Sequence, residues 1–298
     1  MNTIQFIGAL EVGLIYALVA VGVYLSFRTL QFPDLTVDGS FPLGAAVSAA
    51  MITAGYHPVI ATSAAMISGA CAGFITAWMS TRLRMLNLLA GILTMTALYS
   101  INLRVMGGRP NLALLGNDTL FTSFKIPGSD IIVVLFITCL FSWLTYRLLI
   151  TQVGLGVRAT GSNSKMARAQ GINDQHMIWL GLSVSNALVA LAGSVFAQKH
   201  GFADVTMGVG TIIFGLAAVI IAEAILPTRT VFQAIVACIF GAIVYRCVIA
   251  FALNMGGFGL QASDLNLITA FLMALAMLLP QLKQNLKKAH TLLKEPTG

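Results

Sequence analysis

The chain has 298 residues, of which 58% are hydrophobic and 9% charged, and its mean hydropathy is +0.89. Soluble proteins carry about 25% charged residues, so this composition excludes a soluble globular protein. The apolar runs are continuous rather than alternating, which excludes a membrane β-barrel. Because about 20 apolar residues in a helix cross a bilayer core, we expect a single all-α domain over residues 1–298, embedded in the lipid bilayer.

The net charge of +7 reports topology rather than affinity for nucleic acid, because membrane proteins accumulate Lys and Arg in their cytoplasmic loops. No nucleic-acid partner is therefore expected. The four cysteines lie in apolar runs without C-x-x-C spacing, and the four histidines stand singly. These patterns predict neither a metal site nor a cofactor.

Four apolar runs occupy the first part of the chain and predict spans at about residues 4–27, 41–53, 59–80 and 86–106. The stretch between the first two, Leu30–Gly44, is too polar and too rich in proline and glycine to cross lipid as a regular helix. In the third run, Gly69 and Gly73 form a G-x-x-x-G pattern, which is typical of a close helix crossing.

The stretch Leu30–Gly44 has two possible interpretations. Irregular backbone at membrane depth is tolerated only where it is buried in protein or lines a cavity, so this stretch could line a solute pathway. An ordinary cytoplasmic turn would need the same residues. Asn186, in a later span, fits either a solute route or a hydrogen bond between helices. The residues that we consider for the pathway are Asp34, Thr36, Asp38, Ser40 and Asn186.

Five more spans are predicted in the second part of the chain, at about residues 130–150, 177–197, 205–226, 231–253 and 264–282. The total is about nine, with a range of eight to ten because the region 30–53 is irregular. A polar stretch, Gly107–Ser129, precedes the first of these spans. A longer one, Thr151–Gln175, separates the first two and is named the polar segment below.

The distribution of basic residues predicts the orientation. If the polar segment is cytoplasmic, twelve of the 17 Lys and Arg residues lie in inside segments and four in outside segments. The positive-inside rule then places the N-terminus outside, the C-terminus in the cytoplasm and Gly107–Ser129 on the outer face.

The polar segment itself predicts a short amphipathic helix at the inner face. Gly154 and Gly156 are expected to bracket a break after the preceding span, and Gly171 is expected to end the helix. Bases and small residues alternate between these glycines. A solvated connector with inside-positive charge is the alternative interpretation.

The motifs of several enzyme classes are missing. The sequence contains no G-x-x-x-x-G-K-[ST] phosphate loop, no H-E-x-x-H and no G-x-S-x-G, so no hydrolytic activity is expected of this chain. The acids within spans are Glu11 and Glu223, both near span ends, which disfavours a proton- or sodium-coupled transporter but leaves it as the alternative. We expect Glu223 to pair with Arg229 or to shape an inner gate, and Arg246 to pair or to reach the outer interface.

The run G-x-G-x-R-A-x-x-x-N-x-x-x-A-x-x-x-G-I-N, from Gly154 to Asn173, resembles the cytoplasmic loop of ABC-transporter permeases of the branched-chain amino-acid and sugar type. The first span, GLIYALVAVGVYLSFRTL, and the later run ALVALAGSVFAQKHG are also similar to that family. Two stretches depart from it: the residues before Asp34, and Glu223–Arg229, where a Gly-rich turn is usual. The chain therefore resembles an outlying branch, similar to aromatic-amino-acid or uncharacterised permeases.

The resemblance implies the permease subunit of a binding-protein-dependent importer in the bacterial inner membrane, carrying a small organic solute, with an amino acid as the first candidate. It implies a separate ATP-binding subunit, an extracytoplasmic solute-binding protein and a second permease chain in a homodimer. A coupling helix would contact the ATPase. The candidate contact residues are Gly156, Arg158, Ala159, Asn163, Lys165, Met166, Arg168, Gln170 and Gly171. A membrane scaffold without transport is a third possibility, although a scaffold would have no function for the broken entry to the second span.

Overall fold

The computed structural model describes residues 3–122, 129–226 and 228–254. The described helices are α1 (Thr3–Val23), α2 (Val37–Thr53), α3 (Pro58–Arg82), α4 (Asn87–Val105), α5 (Ser129–Ile150), α6 (Gln152–Ser162), α7 (Ser164–Ala169), α8 (Asp174–His200), α9 (Thr211–Ile225) and α10 (Val231–Asn254). Two short strands, β1 (Asn111–Ala113) and β2 (Phe202–Asp204), complete the described elements. The all-helical prediction is confirmed, apart from this small ribbon.

Six of the described helices are long and apolar enough to cross a membrane. They are α1 with its continuation, α3, α4, α5, α8 and α10. Helices α2 and α9 are apolar but have only 17 and 15 residues, fewer than the roughly 20 that a crossing needs. The ninth predicted span, 264–282, and the basic tail lie outside the described residues. The count of nine spans is therefore not confirmed.

Helix α1 lies at the centre of the bundle, against α5, α8, α9 and α10. Its sequence is apolar all round, which is the pattern of a helix buried on every side, and Ile15, Ala17 and Val19 have no exposed surface. A π-helical turn, Tyr24–Thr29, continues α1. The chain then leaves the helix through Gln31, whose φ of +53° is in the left-handed region.

Helices α2, α3 and α8 approach each other closely because glycines face carbonyl groups at their contacts. A Cβ atom on Gly44 would lie 1.9 Å from the carbonyl oxygen of Ala190, and one on Gly193 would lie 1.9 Å from that of Phe41. A Cβ atom on Gly73 would lie 2.3 Å from the carbonyl oxygen of Leu182. The close crossing predicted from the G-x-x-x-G pattern is confirmed, with α8 as the partner of α3.

The ribbon shows which helix ends share a side of the bundle. Strands β1 and β2 are antiparallel, with Leu112 opposite Ala203. Since β1 follows α4 and β2 follows α8, the carboxyl ends of these helices lie at the same end of the molecule. The polar segment, which precedes α8, therefore lies at the opposite end.

Candidate functional site

Two irregular stretches meet inside the bundle. Residues 30–36 follow the end of α1 and precede the short helix α2, and residues 205–210 follow β2 and precede the short helix α9. They come from opposite ends of the molecule. The second stretch packs against the first turn of α2, where a Cβ atom on Gly208 would lie 2.1 Å from the carbonyl oxygen of Asp38. The region around this meeting point is named the junction, and its polar residues are Asp34, Thr36, Asp38, Ser40, Thr76 and Asn186.

Three of the predicted pathway residues form one hydrogen-bonded chain in the junction. The Asn186 amide nitrogen donates to Asp34 Oδ2 at 2.6 Å, and the Ser40 hydroxyl donates to Asn186 Oδ1 at 2.7 Å. All three side chains have no exposed surface. Because buried polar groups must be paired to be tolerated, this chain of bonds holds the start of α2 against α8.

The remaining bonds of Asp34 keep the irregular stretch in place. The backbone N–H of Thr36 donates to Asp34 Oδ1 at 2.9 Å, which closes a local Asx turn before α2. The Thr36 hydroxyl shares a 2.7 Å hydrogen bond with the hydroxyl of Thr76 on α3. Thr76 was not singled out from the sequence, since an isolated threonine in an apolar run gives no signal of its partner.

Asp38 connects the two short helices. Its carboxylate accepts hydrogen bonds from the backbone N–H groups of Gly210, at 3.2 Å, and Ile212, at 2.7 Å. These groups belong to the first turn of α9, where unpaired donors and the helix dipole favour a negative charge. Asp38 is therefore the cap of a helix that starts inside the protein, supplied by a residue 172 positions earlier.

All five predicted pathway residues thus lie in or beside one buried region. The structure pairs their polar groups with the chain itself, in bonds that join residues 30–36 and α2 to α3, α8 and α9. Of residues 30–36, Leu30, Phe32, Asp34 and Thr36 are buried. The choice between a pathway lining and an ordinary cytoplasmic turn for Leu30–Gly44 stays a prediction.

The polar segment forms two helices rather than one. Thr151 caps α6 by accepting a hydrogen bond from the N–H of Gly154 at 3.2 Å, and Asn163 caps α7 by accepting one from the N–H of Met166 at 3.1 Å. The predicted break at Gly154 and Gly156 is wrong, because both lie inside α6 and the chain turns at Thr151. Gly171 follows α7 with a φ of +80°, as expected of a residue that ends a helix.

The predicted coupling residues lie mostly on the outer face of these helices. Those with exposed side chains or backbone are Arg158, Asn163, Lys165, Met166, Arg168, Gln170 and Gly171. Ala159 is half-buried, and Gly156 is buried where a Cβ atom would lie 2.9 Å from the sulfur of Met177. Met166 is 62% exposed although it is apolar. The segment therefore presents bases and an apolar side chain outward.

The inner face of the polar segment is fixed to the bundle. A Cβ atom on Gly161 would lie 1.9 Å from the carbonyl oxygen of Thr29, at the end of the π-helical turn. Trp179, early in α8, donates its indole N–H to the Thr81 hydroxyl at 2.7 Å. Helix α6 is therefore in direct contact with the end of the π-helical turn that continues α1, from which the chain runs into the junction.

Sequence reasoning missed an ion pair at the same end. Arg28 binds Glu223 with two hydrogen bonds, from Nε at 2.5 Å and from Nη2 at 2.8 Å. The expected partner of Glu223 was Arg229, six residues away, but the structure pairs Glu223 with the π-helical turn instead. The pair links the ends of α1 and α9, a contact that no local sequence pattern signals.

The opposite end has its own charged groups. Lys199 binds Glu11 at 2.9 Å and Asp130 at 2.5 Å, and so joins α8 to α1 and α5. In the ribbon, burial acts to raise the pKa of Asp204, but hydrogen bonds from Thr206 and Asn111 outweigh it and hold the pKa below its ordinary value.

Arg246, on α10, contacts two aromatic rings. Its guanidinium carbon lies 5.1 Å from the ring centre of Tyr16 and 5.0 Å from that of Phe214. These distances are typical of cation–π contacts. The residue is half-buried on α10.

The chain matches the model of a protein family over residues 5–279. It is the family described as branched-chain amino acid transport system / permease component.

Among individual proteins, the chain is similar to the tyrosine transport system permease protein of Clostridioides difficile (strain R20291), at 37% identity over 95% of this chain and 94% of that one. It is also similar to the ribose import permease protein RbsC of Escherichia coli (strain K12), at 28% identity over 69% of this chain and 64% of that one.

A solved structure of PsaBC from Streptococcus pneumoniae in complex with Fab matches with a TM-score of 0.50 and 16% identity, over 91% of this chain and 89% of that one. At this level of identity the match concerns the fold alone. The family match and the similarity to these two permeases confirm the family resemblance seen in the sequence.

Proposed function

Because the chain belongs to the family of branched-chain amino acid transport permease components, we propose that it is the membrane subunit of an ATP-driven importer of an amino acid, with tyrosine as the first candidate. The observation that carries the proposal is the 37% identity, over nearly the whole of both chains, to a tyrosine transport permease. As a permease component, the chain is the non-catalytic part of such a system. ATP hydrolysis is assigned to a separate subunit.

The polar segment supports a partner at one membrane face. Its exposed bases can steer an approaching protein, and the exposed Met166 offers an apolar contact. Its inner face is fixed to α1 through Gly161 and Thr29. We assign the outer face of α6 and α7 to the ATP-binding subunit and the opposite end, with the ribbon, to a solute-binding protein.

The remaining assignments follow the same proposal. The polar segment and the ends of α1 and α9 face the cytoplasm of a bacterial cell, as the distribution of basic residues favours. Residues 1–298 form one domain of about nine spans, two copies of which enclose the pathway. The junction lies beside that pathway, with Asp34, Thr36, Asp38, Ser40 and Asn186 controlling its shape.

Replacing both Arg158 and Arg168 by Glu tests the ATPase assignment. Two charge reversals at a docking surface should weaken association of the ATP-binding subunit and lower solute uptake by about tenfold or more, because like charges then face each other. The measurements are copurification of the subunit and uptake of radiolabelled tyrosine by cells that carry the variant gene.

The matched control replaces Arg104 and Arg109 by Glu. Both are exposed arginines at the opposite end of the bundle, and this variant should keep the ATP-binding subunit. Unchanged copurification of the Arg158 and Arg168 variant would contradict the docking assignment. Uptake of tyrosine that persists without any ATP-binding subunit would contradict the importer itself and favour a coupled secondary transporter.

A further inference from the structure

The half-buried Arg246 has no role in the function proposed so far. Its helix, α10, is one of those that can cross the membrane, and a guanidinium at membrane depth is unfavourable unless it is paired or serves a function. The ion pairs in the described ranges are Arg28–Glu223, Arg168–Asp174, Lys199–Glu11 and Lys199–Asp130. None of them involves Arg246.

The surroundings of Arg246 are aromatic. Tyr16 and Phe214, which carry its two cation–π contacts, lie 4.5 Å apart between ring centres. Tyr16 also stacks on Phe41 at 5.6 Å, and Phe214 meets Tyr245 edge-on at 4.5 Å. The guanidinium therefore lies at the edge of a compact aromatic cluster drawn from α1, α2, α9 and α10.

A negative group lies near the same cluster. Asp38 lies on α2 three residues before Phe41, the ring that stacks on Tyr16. Asp38 is half-buried and caps α9 two residues before Phe214. A cation, a carboxylate and flat apolar surfaces thus converge where the two short helices begin.

These groups match the parts of one class of ligand. A guanidinium binds a carboxylate with two parallel hydrogen bonds, aromatic rings stack on aromatic rings, and a carboxylate attracts an ammonium group. Resting on the proposed function, we propose that Arg246, Tyr16 and Phe214 form a contact site for the transported solute, a zwitterionic amino acid with an aromatic side chain. Arg246 receives its carboxylate.

The test measures binding of radiolabelled L-tyrosine to the full-length chain in lipid nanodiscs, with two competitors. Tyramine lacks the carboxylate, and L-leucine lacks the ring. The unchanged protein should prefer tyrosine to both. Arg246→Gln should lose about 10- to 100-fold in affinity for tyrosine, as expected when a hydrogen-bonded charge is removed, and should no longer distinguish tyrosine from tyramine.

Two further variants separate recognition from folding. Arg246→Lys keeps the charge without the paired geometry, and should retain part of the preference for tyrosine over tyramine. Phe214→Leu should weaken the preference for tyrosine over leucine and leave the preference over tyramine intact. A folded Arg246→Gln protein that still prefers tyrosine to tyramine would overturn the inference.

The failure of this inference can be distinguished from the failure of the proposed function. One outcome is that cells with the unaltered gene take up tyrosine while the nanodisc protein shows no preference between tyrosine and tyramine. In that case the contact site is wrong and the importer stands. If cells that lack the gene take up tyrosine and other aromatic amino acids at the same rate as cells that carry the gene, the proposed solute is wrong.

Discussion

The junction and the polar segment are both polar interruptions of an apolar chain, but they differ in where their polar groups are paired. In the junction, Asp34, Asn186 and Ser40 are buried and bind one another. On the outer face of the polar segment, most side chains point to the surroundings, and Asn163 caps its own short helix. The junction is therefore an internal support, while the polar segment exposes its side chains, as the proposed docking surface requires.

This difference implies opposite responses to substitution. Changes in the junction should mainly lower the stability of the fold, because they leave buried groups unpaired or force helices apart. Changes on the outer face of the polar segment should leave the stability of the fold nearly unchanged. They should weaken the proposed association with the ATP-binding subunit. The three experiments below test this contrast.

The largest effect is expected for Gly193→Ala, at the contact of α8 with α2 beside the junction. The added methyl group would lie 1.9 Å from the carbonyl oxygen of Phe41, which is backbone and cannot turn away. We expect the free energy of unfolding to fall by about 1–3 kcal/mol, as is typical of overpacking, measured by thermal unfolding in detergent. Gly8→Ala is the control, since a methyl group there meets nothing within 4 Å. Equal stability of the two variants would contradict this packing.

A smaller difference is expected between Asn186→Ala and Asn163→Ala, the same substitution in the two regions. Loss of Asn186 leaves Asp34 Oδ2 and the Ser40 hydroxyl without the partner they have here, so unfolding should become easier by about 2 kcal/mol. Loss of Asn163 removes one exposed helix cap, worth about 1 kcal/mol or less. Both are measured as midpoints of thermal unfolding. If the order were reversed, the junction would not be the internal support described above.

The smallest effect is expected for Arg168→Gln. Its ion pair with Asp174 has a 3.3 Å separation, and the arginine side chain is 58% exposed. Exposed pairs contribute at most about 1 kcal/mol, so the unfolding midpoint should shift little. Arg158→Gln serves as the control without an ion pair in the described ranges. A large loss of stability for Arg168→Gln alone would show that the polar segment is held by its charges rather than by its inner face.

Particular residues show how far the sequence could lead. Continuous apolar runs predict the long helices, because burial in lipid requires them whatever their partners are. Pro33, Gly39 and Pro42 mark the irregular stretch before α2, although Gly39 and Pro42 lie inside α2. The stop at Gly171 was also predictable, since its positive φ is accessible chiefly to glycine.

Contacts between distant residues could not be predicted in this way. Glu223 pairs with Arg28, 195 positions away, instead of Arg229. Asp38 caps a helix that starts 172 positions later. The charges in the sequence are compatible with several partners, and only the packing of α1, α2 and α9 selects among them.

By itself, the sequence determined the class of the protein, its apolar helices and the position of its polar segment, because these depend on the local balance between water and lipid. Its motif also determined the permease family. Only the tertiary structure decided that α2 and α9 are short, that their starts meet, and that Asp34, Asp38 and Asn186 are paired within the chain. The physical reason is that a buried polar group needs a partner in space, and the chain's path through the bundle supplies it.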